Sequence, residues 1–158
     1  MKNPIYCPKF RRSGKCKYNF PMRLNLSRLL IGLVLLMNLQ AALTYLISPG
    51  SYAPGFELSG AVGEAVIRSL GVLFLMWNVP YVVALWNPAR YRVALYMAIT
   101  MQAIGVVGES WIYLLLPAVH ATARGSILRF IIFDTLGLLA LVTSAWISRR
   151  VMVNEDQD

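Results

Sequence analysis

Histidine, cysteine and acidic residues are scarce in this chain, and their scarcity excludes several kinds of redox and metal centre. The 158 residues include one histidine, two cysteines and seven aspartates and glutamates. One histidine cannot supply both axial ligands of a bis-histidine haem, and two thiolates do not complete a tetrahedral zinc site. Cys7 and Cys16 are spaced C-x8-C, so the C-x-x-C pattern of thioredoxin-like disulfide chemistry is missing. The sequence therefore assigns no metal site, no cofactor and no catalytic residue, and it leaves the role of the two cysteines open.

Charge is sparse as well, whereas apolar residues are abundant and fall in long runs. Hydrophobic residues make up 58% of the chain and charged residues 14%, with a mean hydropathy of +0.58. Each run is close to twenty residues, enough to cross a bilayer as a helix, and none shows the two-residue alternation of a barrel strand. We predict an all-α fold, a four-transmembrane-helix bundle with spans at 29–47, 61–86, 93–116 and 127–147. A basic arm (1–28) precedes the bundle and a polar tail (148–158) follows it.

The distribution of basic residues predicts the orientation of the spans. Eight of the fifteen lysines and arginines lie within residues 1–28. With both termini inside, twelve basic residues would be cytoplasmic and only Arg68, Arg124 and Arg129 would lie towards the outside, as the positive-inside rule favours. We expect a multi-pass protein of a bacterial-type cytoplasmic (inner) membrane with both termini cytoplasmic. A cleavable signal peptide is disfavoured, because the first apolar run is longer than a signal core.

The N-terminal arm combines basic and aromatic residues, which is typical of a segment that lies on a membrane surface. Each lysine or arginine near anionic lipid contributes about 1 kcal/mol. We expect the bilayer, with anionic headgroups, to be a partner of this arm, and we expect no nucleic acid. The alternative is a charge cluster that serves only to set the topology. The residues predicted to contact headgroups are Lys9, Arg11, Arg12, Lys15 and Lys17.

Polar residues within the spans are predicted to form one layer in the outer half of the bundle. Gln40, Arg68, Glu109 and Asp134 each lie about seven residues from the predicted outer end of a span, or roughly 10 Å deep at 1.5 Å per residue. Because an ionised side chain that faces lipid costs about 2.5 to 3.5 kcal/mol, these groups should turn inward and meet. Glu64 and Arg129 lie nearer the surface, and Asn78 and Gln102 would support the site.

The charge of this layer favours a ligand or proton site. Three carboxylates face two arginines, so one carboxylate remains in excess, and Glu109 and Asp134 are the candidates for it. Such a group could relay a proton or bind a cationic or hydroxyl-bearing ligand. The alternative is that Arg68 bridges the acids only to hold the helices together.

Three short motifs carry a resemblance to a known group. They are 68–71 (RSLG) opening the second span, 87–90 (NPAR) in the inner turn, and 102–105 (QAIG) in the third span. Over residues 29–147 the chain resembles the DoxX-like integral membrane proteins. The resemblance implies a helical bundle that acts alone or as the membrane partner of a redox system. Sterol-isomerase-like four-span proteins, which place acids in a membrane pocket, are a second comparison.

The sequence thus supports three hypotheses about function. The leading one is a small membrane protein whose buried charged site binds a small molecule or supports proton-linked movement. The second is a non-catalytic accessory subunit, whose partner is another membrane protein or a second copy of the chain. The third is an intramembrane enzyme of the redox or isomerase kind.

Overall fold

The computed structural model describes the backbone of residues 19–153 and the side chains of residues 22–149. Two sets of predictions lie outside these residues. They are the two cysteines and the headgroup contacts, namely Cys7, Cys16, Lys9, Arg11, Arg12, Lys15 and Lys17.

Within residues 19–153 all regular structure is helical. Four of the helices are long and apolar enough to cross a membrane. The chain is therefore a small multi-pass integral membrane protein. In chain order the elements are α1 (Asn19–Ile47), α2 (Pro49–Tyr52), a short 3-10 helix (Ala53–Phe56), α3 (Gly60–Trp86), α4 (Arg92–Leu115) and α5 (Ala121–Val153).

The two middle spans agree with the predicted boundaries to within one residue, but α1 and α5 begin earlier than predicted. α1 already begins at Asn19, because a proline in the first helical turn, here Pro21, is tolerated. α5 begins at Ala121, so Ser126, whose residue type often caps a helix start, is an internal residue of the helix. The backbone N–H of Ala123 instead donates to the Glu57 carboxylate at 3.3 Å, which satisfies one of the unpaired donors of this helix start.

Contacts at the helix ends define how neighbouring helices run. At one end, Ser27 of α1 lies against α5, with its Oγ 2.6 Å from Ser144 Oγ and 2.9 Å from Ser148 Oγ. At the same end, Arg28 donates to the carbonyl of Trp86 at the end of α3. The start of α1 thus lies beside the ends of α3 and α5, so these neighbours are antiparallel. Among the described residues, α1 and α4 each contact both α3 and α5.

Two buried clusters hold the long helices together. One cluster joins all four helices near the end that carries Ser27, with Ile31, Tyr81, Leu95 and Leu141 at its centre. The other cluster is rich in aromatic side chains and lies towards the 48–60 connection. Large apolar side chains elsewhere on the long helices are exposed, as contact with lipid acyl chains requires.

Candidate functional site

A cavity of about 740 Å³ lies between the four long helices. Its size falls in the range of pockets that hold drug-sized ligands, about 300 to 1,000 Å³. Most of its wall is apolar or aromatic, and α1, α3, α4 and α5 all contribute to it. The polar side chains that line it are Asn38, Gln40, Thr44, Tyr45, Tyr52, Tyr81, Gln102, Glu109, Arg129 and Asp134.

A chain of hydrogen bonds crosses the cavity from α3 through α4 to α5. The hydroxyl of Tyr81 donates to Gln102 Oε1 at 2.5 Å, and Gln102 Nε2 donates to Asp134 Oδ1 at 2.8 Å. Gln102 is only 4% exposed, so both ends of its amide are satisfied inside the protein. This series of hydrogen bonds runs in one direction and ends on the Asp134 carboxylate, which acts as the acceptor.

Two glycines make room for this pair of side chains. A Cβ on Gly105 of α4 would collide with the Asp134 carboxylate, and a Cβ on Gly137 of α5 would lie 2.7 Å from Gln102 Nε2. Gly105 lies three residues after Gln102 on α4, and Gly137 lies three residues after Asp134 on α5. Each polar side chain therefore packs against the glycine of the opposite helix. Small residues at such contacts allow membrane helices to approach closely.

Glu109 is the carboxylate of the cavity wall that has no hydrogen-bond or ion-pair partner among the described residues. Its Oε2 atom is buried and makes no hydrogen bond within the described part of the chain. Arg129 also lines the cavity, but it forms no ion pair with any described residue, and the residue is exposed. A buried carboxylate oxygen with no donor costs free energy unless a ligand, water or proton satisfies it.

Aromatic rings form one wall of the cavity beside these acids. The Tyr45 ring centroid lies 5.8 Å from that of Phe74, 6.3 Å from that of Phe130 and 6.5 Å from that of Phe56. Phe74 and Phe130 are themselves 6.1 Å apart. All four residues line the cavity, so a bound molecule would meet ring faces and edges from three helices and the 3-10 helix.

Arg68 and Glu64 do not join this site, contrary to the single layer predicted from depth. The two side chains pair with each other, with Arg68 Nη2 3.6 Å from Glu64 Oε2, and are 55% and 43% exposed. Neither lines the cavity. The physical reason is rotation about the helix axis. The buried face of α3 carries Gly63, Ile67 and Gly71, and the residue that follows each of them is polar or exposed. One residue is about 100° around a helix.

Asp134 and Glu109 also lie at different levels. Asp134 contacts Gln102 and the backbone at Gly105, whereas Glu109 lies one to two turns further along α4. The depth estimate for Asp134 was wrong because α5 begins at Ala121 rather than at residue 127.

Two further predicted residues have separate placements. Gln40 lines the cavity from α1. Asn78 is buried on α3 but lies outside the cavity wall, where its Nδ2 donates to the carbonyl of Phe74 at 2.9 Å.

The connection between α1 and α3 covers one end of the cavity, which the sequence did not indicate. Tyr52 and Phe56 of this connection line the cavity, and Ser126 Oγ of α5 donates to the carbonyl of Gly55 at 2.6 Å. Glu57 then contacts the single histidine of the chain, with Oε2 2.6 Å from His120 Nδ1.

This contact with His120 affects the titration of Glu57. The hydrogen bond from His120 is the main cause that holds the pKa of Glu57 below its usual value, and the N–H of Ala123 adds to the effect. No acidic residue is a neighbour of His120 in the sequence. Its acidic partner lies 63 residues earlier, so no local pattern could have revealed the pair.

Comparisons with known proteins add no relative: no family model, no curated protein and no solved structure matches this chain. The resemblance to DoxX-like proteins stays a prediction.

Proposed function

We propose that this protein binds an amphipathic small molecule in the cavity between its four membrane-spanning helices. The ligand would have an apolar body that packs on the aromatic wall and a polar group that reaches Glu109. The observation that carries the proposal is Glu109, which lines a cavity of about 740 Å³ and has a buried oxygen with no hydrogen-bond partner among the described residues. Apolar pockets with a few convergent polar groups are the usual form of small-molecule sites.

The proposal includes the orientation of the helices as a bundle in the cytoplasmic membrane, with both termini inside. The end that carries Ser27 also carries most of the described arginines, namely Arg23, Arg28, Arg90, Arg92 and Arg149. The positive-inside rule favours placing this end in the cytoplasm. The cavity would then lie closer to the outer surface, under the connection that carries Phe56 and Glu57.

A matched pair of glycine substitutions tests the proposal. Gly108 lines the cavity, and a Cβ there would meet no atom within 4 Å, so Gly108→Phe can occupy the cavity without a backbone clash. Gly125 has equally open surroundings but does not line the cavity, which makes Gly125→Phe the control. Binding is measured by equilibrium dialysis on protein in zwitterionic nanodiscs, with empty nanodiscs subtracted. The probes are triphenylphosphine oxide, tetraphenylphosphonium and tetraphenylborate.

We expect at least one probe to bind saturably at one site per chain. Gly108→Phe should weaken that binding roughly tenfold or more because it fills the cavity, and Gly125→Phe should leave it unchanged. The proposal fails if no probe binds saturably, or if both variants bind every probe as the unmodified protein does.

A second function is favoured by the exposed pair of Glu64 and Arg68. Charged side chains on membrane helices are rarely left facing lipid, and these two lie on the outer side of α3. We propose as the alternative an accessory subunit that contacts another membrane protein, or a second copy of this chain, through this face. Isolation in mild detergent tests it: a partner or dimer lost in Arg68→Leu supports this role, and a monomer without partners contradicts it.

A further inference from the structure

We infer that the ligand of this cavity is a lipophilic organic cation, such as a quaternary ammonium or phosphonium group on an apolar body. The inference rests on the proposed function, since it concerns the class of ligand that the same cavity takes.

The first argument is the balance of hydrogen-bond donors and acceptors in the wall. The hydroxyl of Tyr81 and one N–H of the Gln102 amide are used within the protein, and both donate towards Asp134. Among the buried polar atoms of the lining residues, the one with no hydrogen-bond partner within residues 22–149 is an acceptor, Glu109 Oε2. A ligand that brings positive charge or a donor to Glu109 would satisfy this acceptor.

The second argument is the aromatic wall. Tyr45, Phe74 and Phe130 come from three helices, and their ring centroids lie within 6.3 Å of one another. Aromatic faces attract cations through the ring quadrupole, and the attraction is strongest where water is excluded. A quaternary cation has no N–H group that needs a hydrogen-bond acceptor, so aromatic rings and a carboxylate together can stabilise its positive charge.

The third argument is the charge of the groups that line the cavity. Glu109 and Asp134 face a single cation, Arg129, so the wall is net negative when all three are ionised. Arg129 makes no ion pair among the described residues, and its exposed side chain is free to extend to the headgroup level. A bound cation would therefore compete with no preformed salt bridge in this wall.

The test compares the three probes on the unmodified protein and on Glu109→Gln. Tetraphenylphosphonium and tetraphenylborate are similar in shape and opposite in charge, and triphenylphosphine oxide is neutral. The quantity compared is the ratio of Kd in the variant to Kd in the unmodified protein, because lipid partitioning of each probe cancels in this ratio. Retained binding of the neutral probe shows that the variant is folded.

We expect Glu109→Gln to raise the Kd of the phosphonium roughly tenfold or more, while the Kd of the neutral probe changes less than about twofold. If Glu109→Gln binds no probe at all, Arg129→Gln takes its place and should lower the phosphonium Kd. The inference is overturned, while the proposed function stands, if the Kd ratio in Glu109→Gln is the same for the cationic and the neutral probe. Where Arg129→Gln is used instead, an unchanged phosphonium Kd in that variant overturns the inference in the same way. Absence of saturable binding of every probe to the unmodified protein overturns the proposed function itself.

Discussion

Gln102 organises the polar part of the cavity, because its amide hydrogen-bonds to both Tyr81 of α3 and Asp134 of α5. Its amide accepts from the tyrosine and donates to the carboxylate. In a membrane the alternative to such a partner is an unsatisfied polar group in an apolar medium. We therefore expect Gln102 to contribute to stability as well as to the shape of the site.

Replacing Gln102 by leucine should destabilise the protein by roughly 1 to 2 kcal/mol, because two buried polar groups lose their partner at once. The free energy of unfolding in mixed micelles, with SDS as denaturant, measures the change. Thr143→Val is the control, since the Thr143 residue is exposed and its hydroxyl donates to the carbonyl of Leu139 in the same helix. Equal stability of Gln102→Leu and Thr143→Val would contradict the role assigned to Gln102.

The sequence allowed some of these residues to be placed and not others, and helical rotation explains the difference. Gln102, Glu109 and Asp134 were expected to belong to an inward-facing site, and all three line the cavity. Arg68 was also expected to turn inward, but the neighbouring face of α3, with Gly63 and Ile67, is the one that is buried. Hydropathy could not separate the two, because most of α3 is apolar on every side.

At the scale of whole helices, the contact between α4 and α5 depends on two glycines, Gly105 and Gly137. Gly105→Ala should push the Asp134 side chain away, and Gly137→Ala should displace Gln102, so each should separate the helices and destabilise the protein by roughly 1 to 3 kcal/mol. Gly108→Ala, on the same helix with open space around its Cβ, should be neutral. The same SDS titration measures all three, and a neutral Gly105→Ala would contradict the packing described here.

The connection that covers the cavity should respond to acid through Glu57. Since the folded-state pKa of Glu57 is lowered, its contacts stabilise the protein above the ordinary glutamate pKa of about 4.3, and this contribution is lost as pH falls through the lowered value. Removing His120, the main cause, should raise the titration midpoint. NMR of the Glu57 carboxyl carbon in unmodified protein and in His120→Ala measures the midpoint directly. An unchanged midpoint in His120→Ala would show that the contact is not formed in solution.

The ends of the helices show which helix boundaries can be predicted from a single sequence. The 87–90 turn stopped α3 where expected, because Asn87 Oδ1 accepts from the N–H groups of Ala89 and Arg90 and Pro88 cannot continue a helix. The start of α5 was missed by six residues, because residues 121–126 are less apolar and their helix is stabilised by a distant acid, Glu57. Contacts between remote segments leave no trace in local hydropathy.

At the scale of the whole molecule, orientation in the membrane is the property that fusion proteins can test. We expect green fluorescent protein joined after residue 153 to fluoresce, because that terminus is predicted to be cytoplasmic. Alkaline phosphatase joined after residue 58, in the connection between α1 and α3, should be active, because that connection is predicted to be outside. An inactive phosphatase there together with a dark C-terminal fluorescent protein would reverse the topology.

The central claim is that the space between the helices is a ligand site, and nuclear Overhauser contacts to a bound probe test it most directly. With tetraphenylphosphonium added to the protein in micelles, its phenyl protons should show contacts to the rings of Phe74 and Phe130, which line the cavity. The lipid-facing side chains of Leu36 and Leu114, both largely exposed, should show none beyond those seen with detergent. Contacts confined to such exposed residues, with none to the two phenylalanines, would contradict the account.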